Sequence, residues 1–287
     1  MPGRRYLAAI CGCLVAAASG VAAEPAGTDD KPPAQEIEAD FSATGSSRLT
    51  DSGGALVEHQ SASFASVSFL ERQPLGGASW YFDWGAQDEN YEFGNSRSFA
   101  IDRLQDVAAN FSLEYFVKSE SVASFTISPG LYFQNHPGNS SWDAPVELVS
   151  GVPISDAVSG VLGGMDGRLY HHPLPIAGLV WTICPVVRLE AVYPNPALTV
   201  TCSPDLDAKL TGELVGGAFE TDPNPVRTRV EYSGYRLGGS LAYKLGRRFE
   251  LTGGGGCEVE REFDFYQESK RVDAARAPYL ELSVIYR

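Results

Sequence analysis

From about residue 55 onward, apolar and polar side chains alternate one by one, and the polar set carries formal charge too densely for a protein core. In 205–219 the even positions Leu206, Ala208, Leu210, Gly212, Leu214, Gly216 and Ala218 are apolar or small. Asp207, Lys209, Thr211 and Glu213 face the other way. In 247–265 the odd positions Phe249, Leu251, Gly253, Gly255, Cys257, Val259, Phe263 and Phe265 oppose Glu250, Thr252, Glu258, Glu260, Glu262 and Asp264, with Arg261 out of step. The first half repeats the pattern, with Trp80, Phe82 and Trp84 opposite Ser79, Tyr81 and Asp83, and Val107, Ala109, Phe111 and Leu113 opposite Asp106, Asn110, Ser112 and Glu114. Successive side chains of a strand point to opposite faces, so each segment is a strand with one greasy and one wet face. Such segments lie near 57–72, 77–92, 104–119, 121–135, 144–156, 168–183, 186–193, 197–202, 205–220, 226–245, 247–266 and 278–287. They predict an all-β fold of about 12 antiparallel strands, with 10 the other even count considered.

A two-sheet sandwich or a lipocalin-like barrel would turn the greasy face inward, whereas an outer-membrane barrel turns it to lipid and lines its lumen with the polar face. Three features favour the membrane barrel. Segments reach 15 residues or more, aromatics gather near segment ends, and 280–287 is a strand with Leu280, Leu282, Val284 and Tyr286 on one face. This last strand is the expected contact with the barrel-assembly machinery, and Arg287 after the aromatic departs from the usual ending. Trp80, Phe82, Trp84 and Trp181 are the expected lipid-facing aromatics.

The rest of the chain fits an exported protein. Arg4 and Arg5 precede an apolar stretch ending at Val21-Ala22-Ala23, which reads as a signal peptide over 1–23 cleaved after Ala23. A lipid anchor at Cys13 would leave only Tyr6 to Ile10 as apolar core, which is too short. Residues 24–53 contain Pro32-Pro33 and only Ile37, Phe41 and Leu49 as large apolar groups, so a flexible linker is expected there. The barrel is assigned to 54–287, in the outer membrane of a Gram-negative bacterium. Hydrophobic residues make up 44% of the chain, which excludes a disordered polymer. Outside 1–23 no apolar run approaches the ~18 residues of a membrane-spanning helix. A formal net charge of -14 argues against nucleic acid, whose phosphates need clustered Lys and Arg.

Several stretches carry a resemblance. Ser128-Pro129-Gly130-Leu131-Tyr132, the run from Leu174 to Thr182, Ala191-Val192-Tyr193-Pro194-Asn195-Pro196, Tyr235-Arg236-Leu237-Gly238-Gly239, Arg261-Glu262-Phe263-Asp264-Phe265 and Ala277-Pro278-Tyr279-Leu280 together resemble a family of uncharacterised outer-membrane β-barrel proteins of Gram-negative bacteria. The likeness covers about 120–287 by motif and 54–119 by strand pattern. It implies a barrel in the outer membrane and brings no activity or functional residues.

Strand parity then nominates a lumen. Glu213, Arg236, Glu250, Glu258, Glu260, Glu262, Asp264 and Glu281 are the lining candidates, acids outnumber bases, and a water-filled lumen of this kind favours cations. Glu258, Glu260 and Glu262 are the sharpest feature, since like charges on one face repel unless a cation or Arg236 sits opposite. A porin-like passage for small polar or cationic solutes and a plugged structural barrel are the leading expectations. A lipid-modifying enzyme is the alternative, with His171 and His172 its best candidates, and a soluble secreted binding protein is the third. No catalytic motif occurs, and no metal or cofactor is expected. His171 and His172 are adjacent in sequence and could not both reach one metal on a straight strand. Cys184, Cys202 and Cys257 match no zinc spacing and are expected to stay reduced.

Overall fold

A computed structural model describes residues 34–76, 79–94, 101–117, 120–222, 228–265 and 267–287. The expected signal peptide (1–23) and the first part of the expected linker lie outside the described residues.

The described residues form one sheet closed on itself. Its long strands are β1 (Gln35–Asp51), β2 (Leu56–Pro74), β3 (Trp80–Gly94), β4 (Arg103–Val117), β13 (Leu206–Glu220), β14 (Arg229–Leu245) and β15 (Phe249–Phe265). Shorter ones are β9 (Val158–Asp166), β10 (Leu174–Cys184), β11 (Val187–Tyr193) and β12 (Ala197–Ser203). Three wall positions are interrupted strands: β5 (Glu120–Ile127) with β6 (Gly130–Phe133), β7 (Trp142–Asp143) with β8 (Val146–Pro153), and β16 (Lys270–Ala274) with β17 (Ala277–Tyr286). Both pieces of the first pair lie on β4, and both pieces of the last lie on β15 and β1, so the described wall has 14 antiparallel positions. The barrel closes where β1 pairs β17, with Ile37 opposite Tyr286.

Fourteen positions replace the expected 12 for two reasons. The segment 35–51, read as linker, is β1. It has ladder partners on both sides, Phe69 of β2 and Tyr286 of β17 meeting Ile37. Its alternation is built from small and polar residues, so its apolar signal is weak, and its partners come from remote sequence. The segment expected as one strand over 168–183 is instead β10 alone, with β9 before it and a loop over 167–173. That loop is fixed by tertiary contacts: the Asp143 carboxylate accepts from Arg168 N at 3.0 Å and Leu169 N at 2.9 Å.

Residue 35 and Tyr286 start and end at one rim, called here the terminal end, and turns there are short, as at 185–186 and 204–205. At the opposite, loop end β6 meets β13 directly, Phe133 pairing Glu220, and Gln134 N donates to Glu220 O at 2.9 Å.

A closed single sheet is not a two-sheet sandwich. Its outer surface carries large apolar side chains, Leu280 at 71% exposure and Leu162 at 64% among them.

Candidate functional site in the barrel lumen

The inner surface divides into two halves. Toward the loop end it is apolar and full. Leu49, Tyr91, Phe93, Leu104, Phe219, Val230, Tyr232, Phe263 and Val272 are buried in one cluster drawn from strands all round the wall. Strands β3 and β14 are not neighbours, yet the rings of Tyr91 and Tyr232 lie 5.2 Å apart, and Phe93 reaches Phe263 of β15 at 5.1 Å. Contact between rings on opposite walls means that these side chains fill the lumen at that level, at tilts that suit aromatic pairs.

Toward the terminal end the lumen is a part-open cavity of about 810 Å³. Eight carboxylates line it against two cations, Lys209 and Arg236. Five of the acids arrive by strand parity: Glu38 and Asp40 from β1, Glu213 from β13, Glu250 from β15 and Glu281 from β17. Asp40 accepts from Ser66 Oγ at 2.8 Å, and Glu250 is held near the rim by Arg287 at 2.9 Å. A field of one sign in a confined, water-accessible space concentrates cations.

Between the halves lies a buried charge layer. Glu258 sits between Arg236 and Arg261, 3.8 Å from each, and all three are almost fully buried. Arg236 donates to Ser42 Oγ at 2.9 Å and covers the Tyr279 ring at 5.2 Å. Arg261 donates to Ser47 Oγ at 2.9 Å and Gln60 O at 3.1 Å. A buried ion group of this kind costs desolvation, and removing one member leaves the others uncompensated. Tyr279 gets its place from missing side chains across the sheet. A Cβ on Gly238 would stand 2.1 Å from the Tyr279 hydroxyl.

The expected lining residues separate into two groups. Glu213, Arg236, Glu250 and Glu281 line the cavity, and Glu258 lies above it in the charge layer. Glu260, Glu262 and Asp264 do not face inward. The ladder slips between Tyr235, opposite Glu260, and Arg236, opposite Glu258, so Val259 is an extra residue in β15. One extra residue reverses the faces beyond it. Arg261, Phe263 and Phe265 therefore turn into the lumen and are buried, while Glu260 and Glu262 join Arg271 on the outside, Glu262 at 2.8 Å. Arg261, out of step in the sequence, was the visible trace of this bulge. Sequence reading also missed Glu38 and Asp40 within the expected linker, although Glu36, Glu38, Asp40 and Ser42 alternate with Ile37, Ala39 and Phe41.

Trp80, Trp84 and Trp181 are exposed on the outer face at 45%, 39% and 46%, with Phe82 half-buried between the first two. His171 and His172 stack with ring centroids 3.9 Å apart in the 167–173 loop, and His171 N donates to Glu231 at 3.2 Å. Among the described residues no group of three His, Cys, Asp or Glu is placed to hold a metal. Cys184, Cys202 and Cys257 are free thiols.

No family model matches the chain, and no curated protein matches it, so the resemblance read from its motifs stands on those residues alone. Solved structures give likenesses of barrel to barrel. An outer-membrane channel of Pseudomonas putida F1 aligns at 11% identity and a TM-score of 0.49, over 92% of this chain and 99% of that one. A toluene transporter of Pseudomonas putida aligns at 10% identity and 0.34, over 89% and 90%. The translocator domain of an autotransporter from Neisseria meningitidis aligns at 10% and 0.36, over 99% and 97%. At these values the likenesses assign no activity, solute or partner to this chain.

Proposed function

We propose that this chain is an outer-membrane barrel that admits small polar cations from its terminal end into a blind acidic vestibule and is closed along its axis at rest. The observation that carries the membrane placement is the inversion of its surfaces. Leu162, Trp181, Leu210 and Leu280 stand exposed on the outside while Glu258, Arg236 and Arg261 are buried within. Water would penalise so much contiguous apolar surface, whereas hydrocarbon favours it. The closed sheet suits the same setting, because it leaves no unpaired edge to lipid over most of its girth. Outward residues of β17 present the face on which assembly machinery would act during insertion.

Cation preference follows from the carboxylates, and closure follows from the aromatic cluster. The test is current across a planar bilayer containing the folded protein. The native chain is expected to give no sustained conductance, and Phe93→Ala with Tyr232→Ala is expected to give steps whose reversal potential favours cations. Steady current from the native chain, or anion preference in the double variant, would sink this reading.

A further inference from the structure

The axis is blocked, but the wall is not of even height. Between β10 and β13 stands the short β11–β12 hairpin. Its ladder with β10 ends at Ala177 opposite Tyr193, and its ladder with β13 ends at Ala197 opposite Thr211. Above that level the hairpin tip adds only two contacts, Gly212 N to Pro196 O and Leu214 N to Asn195 Oδ1, each 2.8 Å. From Val215 to Phe219, among the described residues, β13 has ladder partners on β14 alone, until Glu220 meets β6.

This gap holds a second cavity, of about 400 Å³. Its lining includes Val215 and Tyr232 from the inner face of β13 and β14, and Leu214 and Ser233 from their outer face. A space bounded by both faces of one sheet passes round the sheet's edge and so through the wall. Its lower lip carries the outward residue Tyr193, 52% exposed, with Leu210 of β13 just below at 63%. Met165, Ile176 and Val215 line its inner side together with the carboxylate of Glu147. Asn195, at the hairpin tip, lines this cavity on one side and the acidic vestibule on the other.

Part of the backbone at the lower lip is satisfied without water. Pro173, Pro175 and Pro194 line the opening and have no N–H to leave unsatisfied in hydrocarbon, and Asn195 accepts one donor that β13 would otherwise expose. A volume of this size falls in the range that encloses small organic molecules.

We infer that the gap between β10 and β13 is a side window through which a small, uncharged, mostly apolar molecule passes between membrane hydrocarbon and the lumen. Glu147, on the inner wall of the same cavity, would accept a hydrogen bond from a hydroxyl or amine on such a molecule. The inference rests on the membrane placement proposed above but not on cation conduction.

The test uses the full chain folded in phospholipid vesicles and a neutral, lipid-soluble aryl diazirine as the photoactivated probe, with adducts mapped by mass spectrometry. Adducts are expected on the inner residues Met165, Ile176 and Val215 as well as on the outer residues Leu179 and Leu210. Adducts on Leu179 and Leu210 without the inner three would overturn the window and leave the membrane placement standing. Absence of adducts from both sets would overturn both. Gly217→Trp places a ring in the opening and is expected to abolish inner labelling while Leu210 stays labelled. Inner labelling that persists in this folded variant would mean entry by another route and would overturn the window.

Discussion

The two halves of the lumen are built on the same strands and filled by opposite chemistry. In the terminal half, β1, β13, β15 and β17 turn Glu38, Asp40, Glu213, Glu250 and Glu281 toward water, and the space stays open. In the loop half the same wall turns in Leu49, Phe219, Phe263 and Val272, and the space closes. On β15 the change falls at Val259, where one extra residue swaps the faces. Had 258–265 run on as a regular strand with every residue in the ladder, Phe263 would point to the outside and Glu262 into the lumen. A single bulge thus helps to convert an acidic tube into an acidic cup with an apolar lid.

The sharpest way to break the contrast is to hollow the lid. Phe93→Ala with Tyr232→Ala should cost about 3–5 kcal/mol per ring, since both rings are buried in mutual contact. Urea unfolding of the inserted protein reads this loss, and the bilayer recording described above reads the opening. A lid variant as stable as the native chain would show that the rings are not packed against one another in the membrane.

The charge layer between the halves should be next in size. Glu258→Gln leaves Arg236 and Arg261 buried without their shared carboxylate, and a loss of about 3–5 kcal/mol is expected on the scale for broken buried pairs. Replacing both Glu258 and Arg261 by Leu and Met should recover part of it, because it removes a charge of each sign. Equal losses in the single and double variants, measured by the same unfolding curves, would deny the coupling.

Smaller again is the glycine that seats Tyr279. Gly238→Ala drives a methyl into the Tyr279 hydroxyl and should cost about 1–3 kcal/mol. Tyr279→Phe in the same background removes the nearest clashing atom while Gly255 O stays 2.9 Å away, and should restore part of the stability. Failure of that rescue would place the strain elsewhere.

The vestibule should respond in selectivity rather than stability. Glu213→Gln with Glu281→Gln, placed in the hollowed-lid background, should move the reversal potential toward zero while the unfolding midpoint stays put. An unchanged reversal potential would remove these two acids from the conducting surface. Smallest of all is the outer ion group: Arg271→Ala breaks contacts to Glu262 and Asp273 on the half-exposed outer face, and a change within about 0.5 kcal/mol is expected.

Much of the wall was legible residue by residue. Along β13 from Leu206 to Leu214 apolar or small side chains alternate with polar ones, and the structure keeps those faces, with Glu213 opposite Arg236. Strand β1 was illegible for a physical reason: Ala, Ser and Thr bury little apolar area, and the strand is stabilised by pairing with β2 and with β17, the latter more than two hundred residues away in sequence. The loop at 167–173 was hidden likewise, because Asp143 of β7 fixes it from outside its own segment.

What the sequence determined by itself is the class of surface each strand must have. Period-2 alternation with charge on one face dictates strands, and large apolar residues opposite that charge dictate that the two faces meet different media. Tertiary structure alone decided which face is inside after residue 259, which segments close the ring, and how high the wall stands between β10 and β13. The reason is that parity is a local property, whereas a bulge, a closing strand and an unpaired edge are defined only by what the neighbouring strand presents across the ladder.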